Sequence, residues 1–368
     1  MKFIHLSDLH IGKKVHELSM IDEQKYILQQ ILTIIDDENP DAILIAGDVY
    51  DKSMPSTDAV NLLDEFLCKL AKRKKEVFLI SGNHDSPERL SFASDLIELS
   101  GVHIAPVYNG RIEPYCIKGV NIYLLPFIKP VHVRRYYEEK EINNYTDAMR
   151  VAIESMNINT DERNILVAHQ FVTNASRTDS EDVSVGGLDN VDTEVFAPFD
   201  YVALGHIHRP QNCGSEKIRY CGTPLKYSFS EAKDHKSVTV GEIDENKKLS
   251  IRTVELIPEH DMVELRGTFA KLKANTTHQE DYVHIILTDE EEIMDAMSKL
   301  RGTYHRLLKL DYDNKRTRCQ GNITAIDNIE RKTPLELFEE LFKEQNGQEM
   351  NEEQRSYMQK MIEEIWEG

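Results

Sequence analysis

Several short apolar segments of the chain each end in side chains that can bind a metal ion. These side chains share oxygen or imidazole donor atoms, and they are Asp8, His10, Asp48, Asn83, His169, His206 and His208. Short segments rich in Val, Ile and Leu, closed by Gly or polar residues, are typical of buried β-strands. Open sheets place their ligand sites at the carboxyl ends of strands. The sequence therefore predicts a metal site built from several strand ends.

The spacing within two of these groups favours a shared site. Asp8 and His10 are two residues apart, so on an extended backbone both side chains point to the same side. His206 and His208 have the same spacing, with Ile207 turned the other way. One carboxylate that bridges two ions, with three further ligands for each ion, would use the whole set. Two ions about 3.5–4 Å apart can activate a water for in-line attack on phosphorus.

The donor types indicate which metal such a site would hold. Oxygen and imidazole donors without thiolate suit manganese, iron or zinc, and the oxygen-rich half of the set favours manganese. Each motif alone is weak evidence, because Gly-Asp and Gly-Asn-His also form ordinary turns after strands. Their combination at successive strand ends favours metal chemistry over simple turns.

The charge of the chain restricts its mode of binding. The 368 residues, 40% of them hydrophobic, suffice for one large domain with additions. Lys and Arg number 44 against 64 Asp and Glu, which gives a net charge of −20. This charge argues against a protein that coats DNA, because cationic side chains drive non-specific binding to phosphates. If DNA is the substrate, metal ions, local basic loops and a partner subunit must hold it.

The cysteines and the apolar runs predict a cytoplasmic protein. An odd number of cysteines without a Cys-x-x-Cys pair argues against a disulfide framework or a thiolate zinc site. They are Cys68, Cys116, Cys213, Cys221 and Cys319. The first residues lack the pattern of a signal peptide, and no apolar run approaches the ~20 residues that span a membrane.

Residues 1–257 predict a layered α/β domain, because strands alternate with amphipathic segments such as Asp22–Ile35 and Asp58–Lys69. Lys236–Leu256 predicts a terminal hairpin, and Pro258 marks a boundary.

A smaller α+β unit is expected over residues 258–328. Asp281–Leu287 and Leu307–Tyr312 have strand patterns, and Asp289–Leu300 predicts a helix capped by Thr288, which gives the order β-β-α-β. Basic side chains cluster here, a pattern that slightly favours DNA contact over a solvated face. They are Arg301, His305, Arg306, Lys309, Lys315, Arg316 and Arg318.

Residues 329–368 predict a helical hairpin. Thr333 and Pro334 suit the start of the first helix, and Gln345-Asn346-Gly347 suits its end. The second helix aligns Met358, Met361, Ile362 and Ile365. Such a hairpin either packs on its own domain or docks a partner.

The motif series as a whole resembles a known family. Its order is Asp-x-His, Gly-Asp-x-x-Asp, Gly-Asn-His-Asp, a lone strand-end His and Gly-His-x-His, as in the calcineurin-like metallophosphoesterases. More narrowly, the chain resembles the SbcD family, the nuclease subunits of bacterial SbcCD complexes. This resemblance rests on MKFIHLSDLHIGKK, SVGGLDNVDTEVFAPFDYVALGHIHRPQ and YCGTPLKYSFSEA. The likeness runs from Met1 to about Glu255 and continues more loosely beyond.

The resemblance implies an architecture and partners. It implies a layered α/β/β/α metallophosphoesterase domain over 1–257, a capping domain over 258–328 that shapes the approach of DNA, and a helical hairpin over 329–368. That hairpin would dock on the coiled coil of an SbcC-like SMC ATPase. A homodimer is also implied, as are exonuclease activity on duplex DNA ends and endonuclease activity on single strands or hairpins, in repair, recombination and replication.

The mechanism that follows is a manganese-dependent, two-metal phosphodiesterase. The first ion would be held by Asp8, His10 and His208, and the second by Asn83, His169 and His206, with Asp48 bridging them. His84 follows the ligand Asn83, so it is placed to stabilise charge or protonate the leaving oxygen. The carboxylate of Asp51 is the first candidate to orient His84, and Asp85 is the alternative.

Two other functions compete with DNA cleavage. The net charge favours a small-molecule phosphodiesterase or phosphatase of the same fold. Against it stand the family-like stretches outside the metal loops and the C-terminal additions. A non-catalytic scaffold is the second alternative, and His84 argues against it because a scaffold needs no such residue beside a full ligand set.

Overall fold

The structure is a computed structural model that describes residues 1–173, 175–181, 190–314, 317, 335, 338–339, 341–343 and 349–367. Its strands are β1 Lys2–Leu6, β2 Lys14–Val15, β3 Leu18–Ser19, β4 Ala42–Ala46, β5 Glu76–Ile80, β6 Val102–Ala105, β7 Tyr115–Ile117, β8 Val120–Leu125, β9 Arg163–His169, β10 Tyr201–Gly205, β11 Gln211–Cys213, β12 Ser215–Tyr220, β13 Ser237–Ile243, β14 Leu249–Glu255, β15 Met262–Gly267, β16 Tyr282–Leu287 and β17 Arg306–Tyr312. Its helices are α1 Ile21–Glu38, α2 Thr57–Lys72, α3 Pro87–Leu90, α4 Ser94–Glu98, α5 Pro130–Arg134, α6 Tyr145–Glu154, α7 Phe269–Ala274, α8 Ala296–Arg301 and α9 Glu352–Glu367, with 3-10 turns at Thr193–Phe196 and Phe229–Glu231.

Over the described residues, two six-stranded sheets form the large domain. The first has the order β14-β13-β1-β4-β5-β6, in which β1, β4, β5 and β6 are parallel. The second has the order β11-β12-β10-β9-β8-β7, in which β12, β10, β9 and β8 are parallel. Because parallel strands end at the same edge, each sheet gathers several strand ends along one side.

The two sheets stack face to face between helical layers. Alternate residues of the strands, such as Phe3, Leu44 and Tyr201, fill the space between the sheets. Helices α1 and α2 cover the outer face of the first sheet, and α5 and α6 cover the outer face of the second. The α/β/β/α architecture implied by the family resemblance is therefore confirmed.

Helices α1 and α2 form where the apolar spacing predicted them. Helix α1 buries Ile27, Ile31 and Ile35 on one face, and it ends at Asn39 in the left-handed conformation. Helix α2 begins at Ser56, whose side chain accepts a hydrogen bond from a backbone N–H of the first turn. The predicted terminal hairpin is present as the antiparallel pair of β13 and β14.

The smaller C-terminal unit differs from the predicted β-β-α-β order. Strands β15, β16 and β17 form a parallel three-stranded sheet, and α7 and α8 connect successive strands. The helix predicted over Asp289–Leu300 begins only at Ala296, so the cap assigned to Thr288 is wrong. The Asp289 carboxylate instead accepts from the backbone N–H of Phe269, and its carbonyl oxygen accepts from Asn314. These contacts hold Asp289 outside the helix.

Three of the four described side chains of the basic cluster in this unit pair with acidic side chains nearby. His305 and Arg306 pair with Glu280, and Lys309 pairs with Asp311. Lys315, Arg316 and Arg318 lie outside the described residues.

The terminal helices are described only in part. Helix α9 matches the second predicted helix, whereas Thr333 and Pro334, the predicted start of the first, lie outside the described residues. Within the described ranges, no helix has both the length and the apolar character to cross a membrane. The cysteines of the described part are free thiols, namely Cys68, Cys116, Cys213 and Cys221.

The two sheets approach each other closely where β4 and β10 end. A Cβ atom added to Gly205 would lie 1.8 Å from the carbonyl oxygen of Ala46 and 2.7 Å from the His169 ring. The same Ala46 oxygen lies 2.9 Å from His169 Nδ1. A side chain at position 205 would therefore push the sheets apart beside the strand ends that carry the predicted metal ligands.

This contact predicts the effect of a small substitution. Gly205→Ala should lower the free energy of unfolding by about 1–3 kcal/mol, because the added methyl group meets backbone that has no room to move. The matched control is Gly267→Ala in β15, where the new Cβ would lie 3.5 Å from Leu272, an ordinary contact. Urea unfolding of both variants measures the difference. Wild-type stability of Gly205→Ala would contradict the tight approach.

Candidate metal centre

The predicted metal ligands meet at the edge where the parallel strands of both sheets end. Asp8 and His10 follow β1, and Asp48 follows β4. His169 is the last residue of β9, and His206 directly follows β10. These strand ends come from opposite sheets, so the side chains converge at one end of the sandwich.

The first group of donors consists of Asp8, His10 and His208, whose ligand atoms all lie within 4.8 Å of one another. His10 Nε2 and His208 Nε2 are 3.0 Å apart. Asp8 Oδ1 accepts from the backbone N–H of His206 at 2.9 Å. Asp8 Oδ2 is buried and has no hydrogen-bond partner among the described residues. A buried carboxylate oxygen beside two facing imidazole nitrogens suits a cation.

The second group centres on the side-chain oxygen of Asn83. Asn83 Oδ1 lies 2.9 Å from both His169 Nε2 and His206 Nδ1. Asp48 lies between the two groups, with Oδ2 3.4 Å from His169 Nε2 and 3.7 Å from His10 Nε2. The Asp48 carboxylate is thus within reach of both groups, and its role as a shared ligand stays a prediction.

The backbone reaches this arrangement in a way that the sequence did not indicate. Asp8, His10, Asp48 and His206 all have positive φ angles, between 43° and 103°. The assumption that Asp8 and His10 lie on extended backbone is therefore wrong. Non-glycine residues in this region cost about 1–3 kcal/mol each and cluster at functional sites. Hydrogen bonds such as that from the His10 N–H to the Asp48 carbonyl, at 2.9 Å, hold the strained turns.

His84 lies at the edge of the centre. Its Nε2 is 3.9 Å from Asp48 Oδ2, and its Nδ1 is 3.1 Å from the backbone carbonyl of Asp51. The Asp51 carboxylate pairs with Lys13 at 2.8 Å. The Asp85 carboxylate accepts hydrogen bonds from backbone N–H groups of the loops that carry Asp48 and Asn83, and so it stabilises those loops.

Comparison with known proteins assigns the family. The profile of the calcineurin-like phosphoesterase family matches residues 1–210, and the profile of the type 5 capsule protein repressor C-terminal domain matches residues 258–346. The SbcD subunit of the nuclease SbcCD from Staphylococcus epidermidis is 33% identical over 345 residues, covering 89% of this chain and 92% of that protein. The chain belongs to the SbcD family of nuclease subunits. It is a metal-dependent nuclease, and its cofactors are divalent metal ions.

Further comparisons give the same family and a more distant similarity. The SbcD subunit of the nuclease SbcCD from Staphylococcus saprophyticus is 33% identical over 317 residues, covering 84% of each chain. A solved dimetal phosphatase from Danio rerio is 13% identical with a TM-score of 0.40, over 70% of this chain and 98% of that one.

Burial sets the protonation of several histidines in this nuclease. It lowers the pKa of His206 to about 3, and it holds the pKa values of His10 and His208 well below the ordinary value. These rings are therefore neutral near pH 7. Neutral imidazole is the form that binds a metal ion.

Asp48 and His169 form the charged pair of the centre. Burial alone would raise the pKa of Asp48, but the nearby His169 and His10 hold it well below the ordinary value. Burial would likewise lower the pKa of His169, but Asp48 raises it to about 9. Burial raises the pKa of Asp8 to about 7. A cation bound here would displace the protons of His169 and Asp8, because ligands must be deprotonated to coordinate.

Sequence reasoning missed the side chains that support His208. Three of them, Ser180, Glu181 and Lys236, hydrogen-bond this histidine. The fourth, Glu231, hydrogen-bonds Ser180 and Lys236. Glu231 belongs to the stretch YCGTPLKYSFSEA, which already carried the family resemblance. This stretch carries the family resemblance although it contains no ligand-type motif. It could therefore have indicated residues that support the site.

Proposed function

We propose that this nuclease is a two-metal DNA phosphodiesterase, an exonuclease on duplex ends and an endonuclease on single strands and hairpins, active in cytoplasmic DNA end processing. The observation that supports this proposal most directly is the pair of buried donor groups on either side of Asp48. Two divalent ions, with manganese the best match to the donors, lower the pKa of water and polarise the phosphodiester when bound. The domains are 1–257 for cleavage, 258–328 as the cap and 329–368 for docking.

Each proposed ligand has a specific role. Asp8, His10 and His208 hold one ion, whereas Asn83, His169 and His206 hold the other. Asp48 contributes to both. Its Oδ1 accepts from the backbone N–H of His84 at 3.0 Å, which leaves Oδ2 directed to the histidines of both groups.

His84 is the proposed group for proton transfer or charge stabilisation at the leaving oxygen. Its Nδ1 faces a backbone carbonyl, which accepts a hydrogen bond and so leaves Nε2 directed to the centre. The Asp51 backbone, rather than its carboxylate, orients this ring. The Asp51 carboxylate instead forms an ion pair with Lys13.

Local lysines bear on the objection raised by the net charge. A groove of 620 Å³ beside His208 is lined by Lys13, Lys14 and Lys309, together with Asp179 and Glu264. A second groove, of 720 Å³, shares Lys13 and Lys14 and adds Lys52, and its lining also includes Glu17, Asp51 and Asp58. Lys13 pairs with Asp51 and Lys309 pairs with Asp311, so Lys14 and Lys52 are the proposed contacts to phosphate in a chain whose net charge is −20. Lysines along two grooves can contact several phosphates of a polymeric substrate, whereas a small phosphoester offers only one.

The choice between these substrates can be measured directly. With manganese present, the protein should degrade linear duplex DNA, and added salt should suppress this activity more than hydrolysis of a chromogenic phosphodiester. Lys14→Gln should reduce DNA cleavage and leave hydrolysis of the small substrate unchanged. Hydrolysis of the small substrate without DNA cleavage would favour a small-molecule phosphodiesterase.

The role of His84 gives a second prediction. His84→Ala should keep metal binding and DNA affinity but lose about 10²–10⁴ in cleavage rate, because it removes proton transfer at the leaving oxygen. Asp51→Asn keeps the carbonyl oxygen that contacts His84, so its loss should be smaller. The exposed His235 provides the control substitution to Ala. Single-turnover cleavage at the wild-type rate in His84→Ala would disprove the role.

An exposed apolar surface supports the proposed homodimer. Phe92, Leu96 and Leu99 are 81%, 71% and 87% exposed on and beside α4. A cluster of this kind on a globular domain is typical of an interface. Leu96→Asp should convert a dimer to a monomer in sedimentation velocity, whereas Met294→Asp on the cap should not. A monomeric wild-type protein would contradict the dimer.

The terminal segment is the proposed docking site for an SbcC-like SMC ATPase. Arg355 in α9 pairs with Glu339 at 2.8 Å, which joins the two parts of this segment. Phe338 and Leu341 are exposed nearby. Both observations fit a helical hairpin that presents apolar residues to a helical partner.

Substitutions at these exposed residues test the docking proposal. Phe338→Glu combined with Leu341→Glu should abolish co-purification with the ATPase and ATP-stimulated cutting of duplex ends. Hydrolysis of a small phosphodiester should stay unchanged, because all proposed metal ligands lie before Arg209. Met294→Glu is the matched control. Retained binding of the ATPase by the double variant would show that the segment packs only on its own chain.

A further inference from the structure

His208 is held at three points apart from its ligating nitrogen. Its backbone N–H donates to Glu181 Oε1 at 2.7 Å, and its carbonyl accepts from Lys236 Nζ at 2.8 Å. Its ring Nδ1 lies 2.6 Å from Ser180 Oγ. The other ring nitrogen, Nε2, faces His10.

The contact with Ser180 continues into a buried ion pair. Ser180 Oγ also hydrogen-bonds Glu231 Oε1, and Glu231 Oε2 lies 2.5 Å from Lys236 Nζ. The Glu231 side chain is fully buried and that of Lys236 nearly so. The Lys236 ammonium has three protons, and its acceptors are Glu231 Oε2, the His208 carbonyl and Thr223 Oγ1. All three donors are therefore satisfied, as a buried charge requires.

The direction of each hydrogen bond between His208 and the buried ion pair follows from the charge of that pair. Glu231 pairs with an ammonium group, so it is a carboxylate and only accepts. Ser180 must then donate its one hydroxyl proton to Glu231. The Ser180 oxygen is left as an acceptor, so the proton between Ser180 and His208 belongs to His208 Nδ1. Neutral His208 consequently carries no proton on Nε2.

We propose that Ser180, Glu231 and Lys236 form a positioning relay, which fixes His208 in the Nδ1-protonated tautomer and directs the Nε2 lone pair into the metal centre. The relay joins three separate segments to one ligand: the loop after β9, the 3-10 turn Phe229–Glu231 and the residue before β13. Partners of this kind raise the basicity of a ligating histidine and orient its ring.

This inference rests on the proposed role of His208 as a metal ligand. A merely structural role for Ser180 would lower the stability of the metal-free protein without changing its affinity for metal. A positioning role changes the affinity itself. Ser180 lines the 620 Å³ groove, so replacing it perturbs little packing and the two roles can be separated.

The affinity test compares three variants of the full-length protein by manganese titration, followed calorimetrically and by electron paramagnetic resonance. Ser180→Ala should weaken one of two manganese ions about 10–100-fold, the usual effect of losing such a partner. Ser180→Thr keeps the hydroxyl and should restore the affinity. Ser176→Ala, in the same loop but exposed, is the matched control and should bind as the wild type does. Wild-type affinity in Ser180→Ala overturns the proposal.

A second measurement does not depend on the folding of any relay variant. Two-bond ¹H–¹⁵N spectra of the wild-type, metal-free protein report the tautomer of each histidine, and His208→Ala identifies the signal. We expect neutral His208 with the proton on Nδ1. A proton on Nε2 would overturn the relay, whatever the titrations give.

The same His208→Ala variant separates this inference from the proposed function. If it keeps two manganese ions at full affinity, His208 is not a ligand and the proposed assignment fails. If it loses an ion but Ser180→Ala does not, the ligand assignment stands and the relay alone is wrong.

Discussion

The buried carboxylate of Asp48 is the interaction on which the rest of the site depends. Asp48 is nearly inaccessible to solvent, and histidines from strand ends of both sheets surround it. An isolated buried charge is expensive, so this carboxylate needs cationic partners. His169 supplies one such partner in the protein itself, and divalent ions bound there would supply stronger ones. The site is thus organised around a negative charge that only positive groups can stabilise.

The fold supports this charge by bringing two sheets together through backbone atoms at the point of contact. Gly205 and Ala46 allow the strand ends to approach, and the Ala46 carbonyl then orients His169. Left-handed backbone at Asp8, His10 and Asp48 turns the ligands inward. Such strain persists only where surrounding structure over-determines it, and here a rigid α/β/β/α sandwich does so. A stable scaffold therefore carries a strained and charged edge.

The strands and the candidate ligands could be predicted because both depend on local sequence. Apolar runs mark the buried strands. Asp48 lies in the turn after one of them, and His169 is the last residue of another. The left-handed turns at Asp8 and His10 were missed, because their conformation depends on hydrogen bonds to the loop after β4. The helix predicted from Thr288 was wrong for a similar reason, since Asp289 bonds to Phe269 in a different element. Ser180 and Glu231 were missed because their partners are far away in sequence.

The central claim is that Asp48 is shared by two metal ions. Crystals grown with manganese and measured at its absorption edge test this claim directly, because anomalous scattering locates the ions without assuming their ligands. We expect two peaks, about 3.5–4 Å apart, with one Asp48 oxygen coordinating both or one oxygen on each. A single peak, or two peaks with Asp48 coordinating neither or only one, would contradict the claim.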